Sequence, residues 1–159
     1  MNCIYKMCLL AFVCAPLVGC ATMRGETAYS EYMVRNVTQH VYQKECASIE
    51  PTVRDILFRS GYSVKTSDGV NIETEWTPVP QSTFRRRYLA QLVNSDAPSC
   101  KLVVQYSDRD ANPTGSDDVT RDWRLELDVM DAHDPAAAAK IRRGAAQARE
   151  CAIQEVNCS

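Results

Sequence analysis

Histidine is scarce in this 159-residue chain, which has only His40 and His133. The scarcity limits proton-transfer chemistry, because imidazole is the side chain whose charge changes near neutral pH. No Gly-x-Ser-x-Gly elbow, His-Glu-x-x-His pair or phosphate loop accompanies them. An enzyme is therefore not expected, and no cofactor is implied. A basic excess is also missing: 18 Lys and Arg stand against 20 Asp and Glu, so nucleic acid is not an expected partner. The apolar run Met7 to Val18 is short, where a bilayer span needs about 20 residues. Internal repeats and low-complexity tracts are absent. Metal ligation is not expected either. Asp108, Asp110, Asn112, Asp117 and Asp118 begin like a calcium loop. However, Pro113 stands at the sixth position, where glycine makes the sharp turn, and Val119 at the twelfth, where glutamate is the bidentate ligand. A solvated loop fits better.

What is present begins at the N-terminus. Lys6 precedes the apolar run, Leu17-Val18-Gly19-Cys20 closes it, and the chain turns polar at Thr22, Arg24 and Glu26. This is the layout of a secretory signal. Its ending resembles the lipobox of bacterial lipoproteins, which implies cleavage before Cys20 and diacylglycerol on its sulfur. The expected organisation is a signal peptide over 1–19, a lipidated Cys20 with a tether over 20–31, and one domain over 32–159. Removing Lys6 takes no acid, so 18 cations become 17 against 20 acids, a net charge of about −3 at neutral pH. Three acyl chains on one cysteine attach strongly to a membrane. Ala21, rather than aspartate, after the cysteine implies sorting to the outer membrane, periplasmic face, in preference to the inner membrane.

Met33 to Val37 alternate in a pattern that suits a short strand, with Thr38 capping a helix that follows. Tyr42, Cys46, Ile49, Val53, Ile56 and Leu57 then form one helical face, and Gly61 ends it. Pro51 predicts a kink, or a second helix capped by Ser48. Alternating apolar and polar residues predict strands at 62–66, 70–76, 84–93, 101–107 and 121–130. Val70, Ile72, Thr74 and Trp76 share one face of the second of these. Ser67-Asp68-Gly69 makes a turn. Asp134 caps a final helix, Pro135 opens it, and Gly144 weakens its middle. Each strand has one apolar and one polar face, which parallel sheets covered on both sides do not show. The fold class is therefore α+β: a two-layer domain in which an antiparallel sheet of four to six strands carries two helices packed on one face.

Leu57-Phe58-Arg59-Ser60-Gly61-Tyr62-Ser63-Val64, Asp68-Gly69, Ile72-Glu73-Thr74-Glu75-Trp76 and Arg87-Tyr88 carry a second resemblance. Over roughly residues 38 to 130 this spacing is similar to the helix-grip domains of the C-component lipoprotein of the outer-membrane β-barrel assembly machine. It implies the fold and the compartment. The expected function is a membrane-anchored periplasmic lipoprotein, a structural or accessory interaction protein of an envelope assembly or secretion complex. Its partners would be the membrane, through the N-terminal lipid, and an envelope protein. A lipid or small-ligand binding module is the alternative, and an envelope hydrolase the third.

Arg85-Arg86-Arg87 is the candidate anion or partner contact. Arg85 and Arg87 are expected on the outer face opposite Glu73 and Glu75. Arg86 points inward and must reach the rim or find an acid. Four cysteines remain in the exported part: Cys46, Cys100, Cys151 and Cys158. Alternating element directions place Cys46 and Cys100 at one end of the sheet and Cys151 and Cys158 at the other. The expected pairs are Cys46–Cys100 and Cys151–Cys158.

Overall fold

The inner stripe of the first helix is built of small residues early and large ones later. Ala21, Gly25, Ala28, Tyr29, Tyr32, Met33, Asn36 and Val37 recur at helical spacing, and these are the positions least open to solvent. The computed structural model describes residues 4–94, 98–110 and 118–155, with side chains from residue 21 onward. Helix α1 covers Ile4–Thr38. The tether expected over 20–31 and the strand expected at Met33 to Val37 are both helix, and Thr38 ends this helix instead of capping the next. Ala21, Gly25 and Ala28 give almost no apolar signal, and Met33 to Val37 also fit an alternating pattern, so the 3.6-residue period was not visible in the sequence.

Two compact units are present, residues 1–35 with 140–159 and residues 36–139. This differs from the single domain expected over 32–159. The first unit pairs α1 with the later part of α4 (Pro135–Gln154) in antiparallel fashion. A Cβ on Gly25 would meet Ile153 Cγ1 at 2.7 Å, and one on Gly144 would overlap the Tyr32 ring. Gly144, expected only to weaken its helix, makes room for Tyr32. Arg24–Glu155 and Arg149–Glu26 ion pairs flank the contact. Among the described residues no helix is long and apolar enough to cross a membrane.

The second unit holds the sheet. Helix α2 (Cys46–Arg59) buries Cys46, Ile49, Val53, Ile56 and Leu57 as its pattern requires, and Pro51 sits inside this one helix. Gly61 ends it at φ +88°, with the Tyr62 N–H donating to the Leu57 carbonyl. Strands β1 (Val64–Ser67), β2 (Asn71–Thr74), β3 (Thr77–Pro78), β4 (Phe84–Asn94), β5 (Cys100–Asp110) and β6 (Asp118–Arg121) follow. They form a six-stranded antiparallel sheet in the order β1-β2-β4-β5-β6, with β3 also on β4. The Asp68 carboxylate accepts from the Val70 and Asn71 N–H groups in the β1–β2 turn. Ile72, Thr74, Tyr88, Ala90, Leu92, Leu102 and Val104 are buried on the inner face. Each fully buried Leu, Ile or Val contributes about 1.5–3 kcal/mol.

The segment expected as a strand at 121–130 is instead helix α3 (Trp123–His133). Its alternation of Trp123, Leu125, Leu127 and Val129 suited a strand, but Asp122 overrides it. The Asp122 carboxylate accepts from the Arg124 and Leu125 N–H groups, both at 3.1 Å, and caps a helix. Buried Leu125, Glu126, Val129 and Met130 then repeat at the spacing of a helical face. Helix α3 packs on α2 and β5, so it is the second helix of the layer. Asp134 caps α4 by accepting from the Ala137 N–H, with Pro135 in the first position as expected.

The Cys46–Cys100 disulfide is present and closes 54 residues, worth about 4 kcal/mol in the chain-entropy model. The miscounted strand lies after Cys100, so it did not disturb that pairing. Tyr42, expected on the helix face, instead exchanges backbone hydrogen bonds with Cys100 at 2.8 and 2.9 Å. Cys151 is disulfide-bonded too; Cys158, its expected partner, lies outside the described residues, as does the side chain of Cys20.

Strand β6 stops at Arg121, which leaves the Val104 N–H without a strand partner. Glu126 Oε1 accepts from it at 2.8 Å and from Arg121 Nε at 2.8 Å, while Oε2 accepts from the same guanidinium at 3.0 Å. Its side chain is 3% exposed. Burial pushes the Glu126 carboxyl up from its ordinary value, against the lowering effect of Arg121. Glu126→Gln should cost about 2–4 kcal/mol, because it leaves the guanidinium partly buried without its charge partner. Urea unfolding with the disulfide oxidised measures this, and a loss under about 0.5 kcal/mol would show that the network is not structural.

Candidate interaction face of the sheet

One extra residue between β2 and β3 decides what faces solvent. Glu73 lies opposite Leu89, whereas Thr77 lies opposite Arg86, so four steps on one side match three on the other. Such a bulge reverses the alternation. Thr74 still points inward, where its hydroxyl accepts from the Tyr88 N–H at 2.8 Å. Trp76, expected on the inner face with Ile72 and Thr74, instead lies among outward side chains. Its ring centre is 4.8 Å from the Arg87 guanidinium carbon and 4.7 Å from that of Arg109.

Alternation along β4, whose pairing with β5 is unbroken from Phe84 to Asn94, separates the three consecutive arginines. Arg87 reaches Glu73 at 2.9 Å, as expected. Arg85 does not face Glu75: its cross-strand neighbours are Pro78 on β3 and Arg109 on β5, and it pairs with no acid among the described residues. Arg86 points inward and finds an acid, with Nε and one terminal nitrogen each 2.7 Å from the Asp108 carboxylate. Its guanidinium carbon lies 3.9 Å from the Tyr106 ring centre, and the Asp108 hydrogen bonds push its pKa up. Tyr88 stacks edge-on against Tyr62 and donates to Asp122 at 3.0 Å; burial first, then the Asp122 charge, pushes its hydroxyl up. Arg86 therefore belongs to the inner face, and Arg85 and Arg87 to the outer one.

Along β4 the outward positions are Arg85, Arg87, Leu89, Gln91 and Val93, and along β5 they are Lys101, Val103, Gln105, Ser107 and Arg109. Four are cations and none is a carboxylate. Leu89 and Val93 are exposed. Lys101 was expected to face away from Leu102 and Val104 without being singled out, Arg109 was expected in the loop after the strand at 101–107, and Trp76 was misplaced because a bulge leaves no apolar signature. The nearby Pro78 and Pro80 were the one hint that the strand breaks there.

Asp108, Asp110 and Asp118, expected in a loop, are strand residues of β5 and β6, and Asn112 and Asp117 lie outside the described residues. Among the described residues no group of acids, cysteines or histidines could hold a metal. The two histidines come together: His40 and His133 both pack edge-on against Tyr42, at 4.6 and 6.2 Å between ring centres. His40 Nε2 is buried without a hydrogen bond, 3.7 Å from Asp134 Oδ2, and His133 Nε2 is 2.8 Å from Thr52 Oγ1. Burial lowers the pKa of both. The inner space holds Ile49, Val53, Leu57, Ile72, Leu92, Val104, Val129 and Met130, all with almost no exposure. Described clefts lie elsewhere, as between Ile56, Arg59, Asp128 and Asp131, about 350 Å³.

No family model matches this chain, and no curated protein or solved structure matches it.

Two outcomes follow. Arg87→Ala should change stability by about 0.2–1 kcal/mol, since its pair is a third exposed, whereas Arg86→Ala should cost about 1–3 kcal/mol through its two charge-assisted bonds and ring contact; chemical unfolding of both variants makes the comparison. The lowered histidines are neutral when folded but take up protons near the ordinary 6.5 when unfolded. Their contribution is therefore complete above that pH and is lost as pH falls below it toward the folded values. His40→Gln should flatten this part of the stability–pH curve, and an unchanged slope would remove His40 from it.

Proposed function

We propose that this chain is a lipid-anchored protein of the bacterial envelope, attached through Cys20 at the periplasmic face of the outer membrane. There it acts as a non-enzymatic accessory protein of an assembly or secretion complex. The observation that carries the role is the outward face of β4 and β5, with four cations, no carboxylate, and exposed Leu89 and Val93. Such a face presents complementary charge and apolar area to a partner without forming a reaction site. The lipobox resemblance at Leu17 to Cys20 supports the anchor, and Ala21 supports the outer membrane. A ligand held between helix and sheet is disfavoured, because it would have to displace Ile49, Val53 and Leu57 from a filled layer.

Mass spectrometry of the mature N-terminus should show diacylglycerol on Cys20, and Cys20→Ala should give unacylated precursor; a lipid-free wild-type N-terminus would overturn the anchor. Affinity purification from the native membranes should recover a partner with the wild type and lose it with Arg85→Glu/Arg109→Glu. Recovery of the same set with both would move the interaction to another surface.

A further inference from the structure

Trp76 and Arg85 are the two residues on the outer face that neither the core nor the turns require. A bulge costs ladder hydrogen bonds, and this one carries a tryptophan out of the core side to solvent. Arg85 stands directly opposite Arg109, a like-charge cross-strand pair that is unfavourable by itself. On its other side is Pro78, and no described acid balances Arg85. Meanwhile Arg87 and Arg109 hold the Trp76 ring. The whole chain has a net charge of −2, yet the outward positions of β4 and β5 hold four cations and no carboxylate, with Glu73 of β2 paired to Arg87 beside them.

We infer that this face is a docking surface for anionic membrane lipid, with Arg85 and Arg109 gripping headgroup phosphate and Trp76 seated at the interface. The inference rests on the outward sheet face being the working surface. Phosphate suits the site because its several oxygens and its charge can engage two arginines from opposite positions of neighbouring strands together. Tryptophan prefers the level of the headgroups, where its ring is half wet. Basic residues beside it draw the surface toward anionic lipid. Exposed Leu89 and Val93 continue the same face along β4, so a lipid surface covers apolar area that an acidic, hydrated protein patch would leave wet. An acidic protein is the competing occupant.

The test uses the full chain with Trp123→Phe, which leaves Trp76 as the single tryptophan. Its fluorescence is followed with vesicles of brominated phosphatidylcholine, with and without phosphatidylglycerol. Quenching should appear with phosphatidylglycerol, fade with salt, and be absent with phosphatidylcholine alone. An N-terminal anchor holds the protein to both vesicles and cannot create that difference. Arg85→Glu/Arg109→Glu should weaken the phosphatidylglycerol-dependent quenching about tenfold or more, and the milder Arg85→Gln/Arg109→Gln should weaken it less. Circular dichroism and an intact Cys46–Cys100 bridge check that each variant is folded. Equal quenching in both vesicles, or none with phosphatidylglycerol, overturns the inference. If quenching is absent while a membrane protein is still recovered through Arg85 and Arg109, the lipid inference fails and the accessory role stands.

Discussion

The Glu126 carboxylate is the constraint on which the sheet unit depends. It is a buried charge, costly to desolvate unless every lone pair is used. Its partners are the Val104 N–H at the place where β6 runs out and the Arg121 guanidinium that ends that strand. Arg121 also donates to the Thr38 carbonyl at 3.1 Å. Glu126 thus joins α3 to the middle of β5 and to the end of β6, and Arg121 carries the link on to Thr38. Asp122, four residues earlier, caps α3 and accepts from Tyr88 on β4. Together the two acids turn an alternating segment into a helix and seat it on the inner face.

That placement gives the two sides of the sheet different work. With α2 and α3 covering one side, and Cys46–Cys100 tying α2 to β5, the other side of β4 and β5 is left to solvent. Alternation along β4 then sorts charge between them, and the bulge before β3 brings Trp76 to the outer side. Arg86 is locked inside by Asp108 and Tyr106, while Arg87 and Arg109 hold Trp76 outside and Arg85 stands opposite Arg109. Both arrangements come from the same three-residue run, and a single inserted residue on the neighbouring strand sets what Arg85 meets.

Much of this was legible in the residues themselves. Apolar spacing at Cys46, Ile49, Val53, Ile56 and Leu57 defined α2, alternation defined β4 and β5, Asp68-Gly69 the turn between β1 and β2, and Asp134-Pro135 the start of α4. These are local signals: period, turn chemistry and caps act over a few residues. The two-layer class and the Cys46–Cys100 pairing followed because they needed only directions of elements that local signals had already placed. Inward Arg86 was legible as well, since parity along one strand sends neighbours to opposite faces.

Other features were decided by distant partners. The α1 stripe of Ala21, Gly25 and Ala28 has meaning only against Ile153 and its neighbours, because small side chains matter through what approaches them. Helix α3 competed evenly with a strand until Glu126 met Val104 and Arg121. The outward turn of Trp76 depends on a bulge set by the pairing of β2 and β3 with β4, and the Arg85–Arg109 pair on the register between β4 and β5. The sequence by itself determined the periods and caps of its elements and which faces of its strands could be buried. The tertiary structure decided which elements those faces met, because burying a charge, closing a helix pair and shifting a register each need a partner that the local chain does not contain.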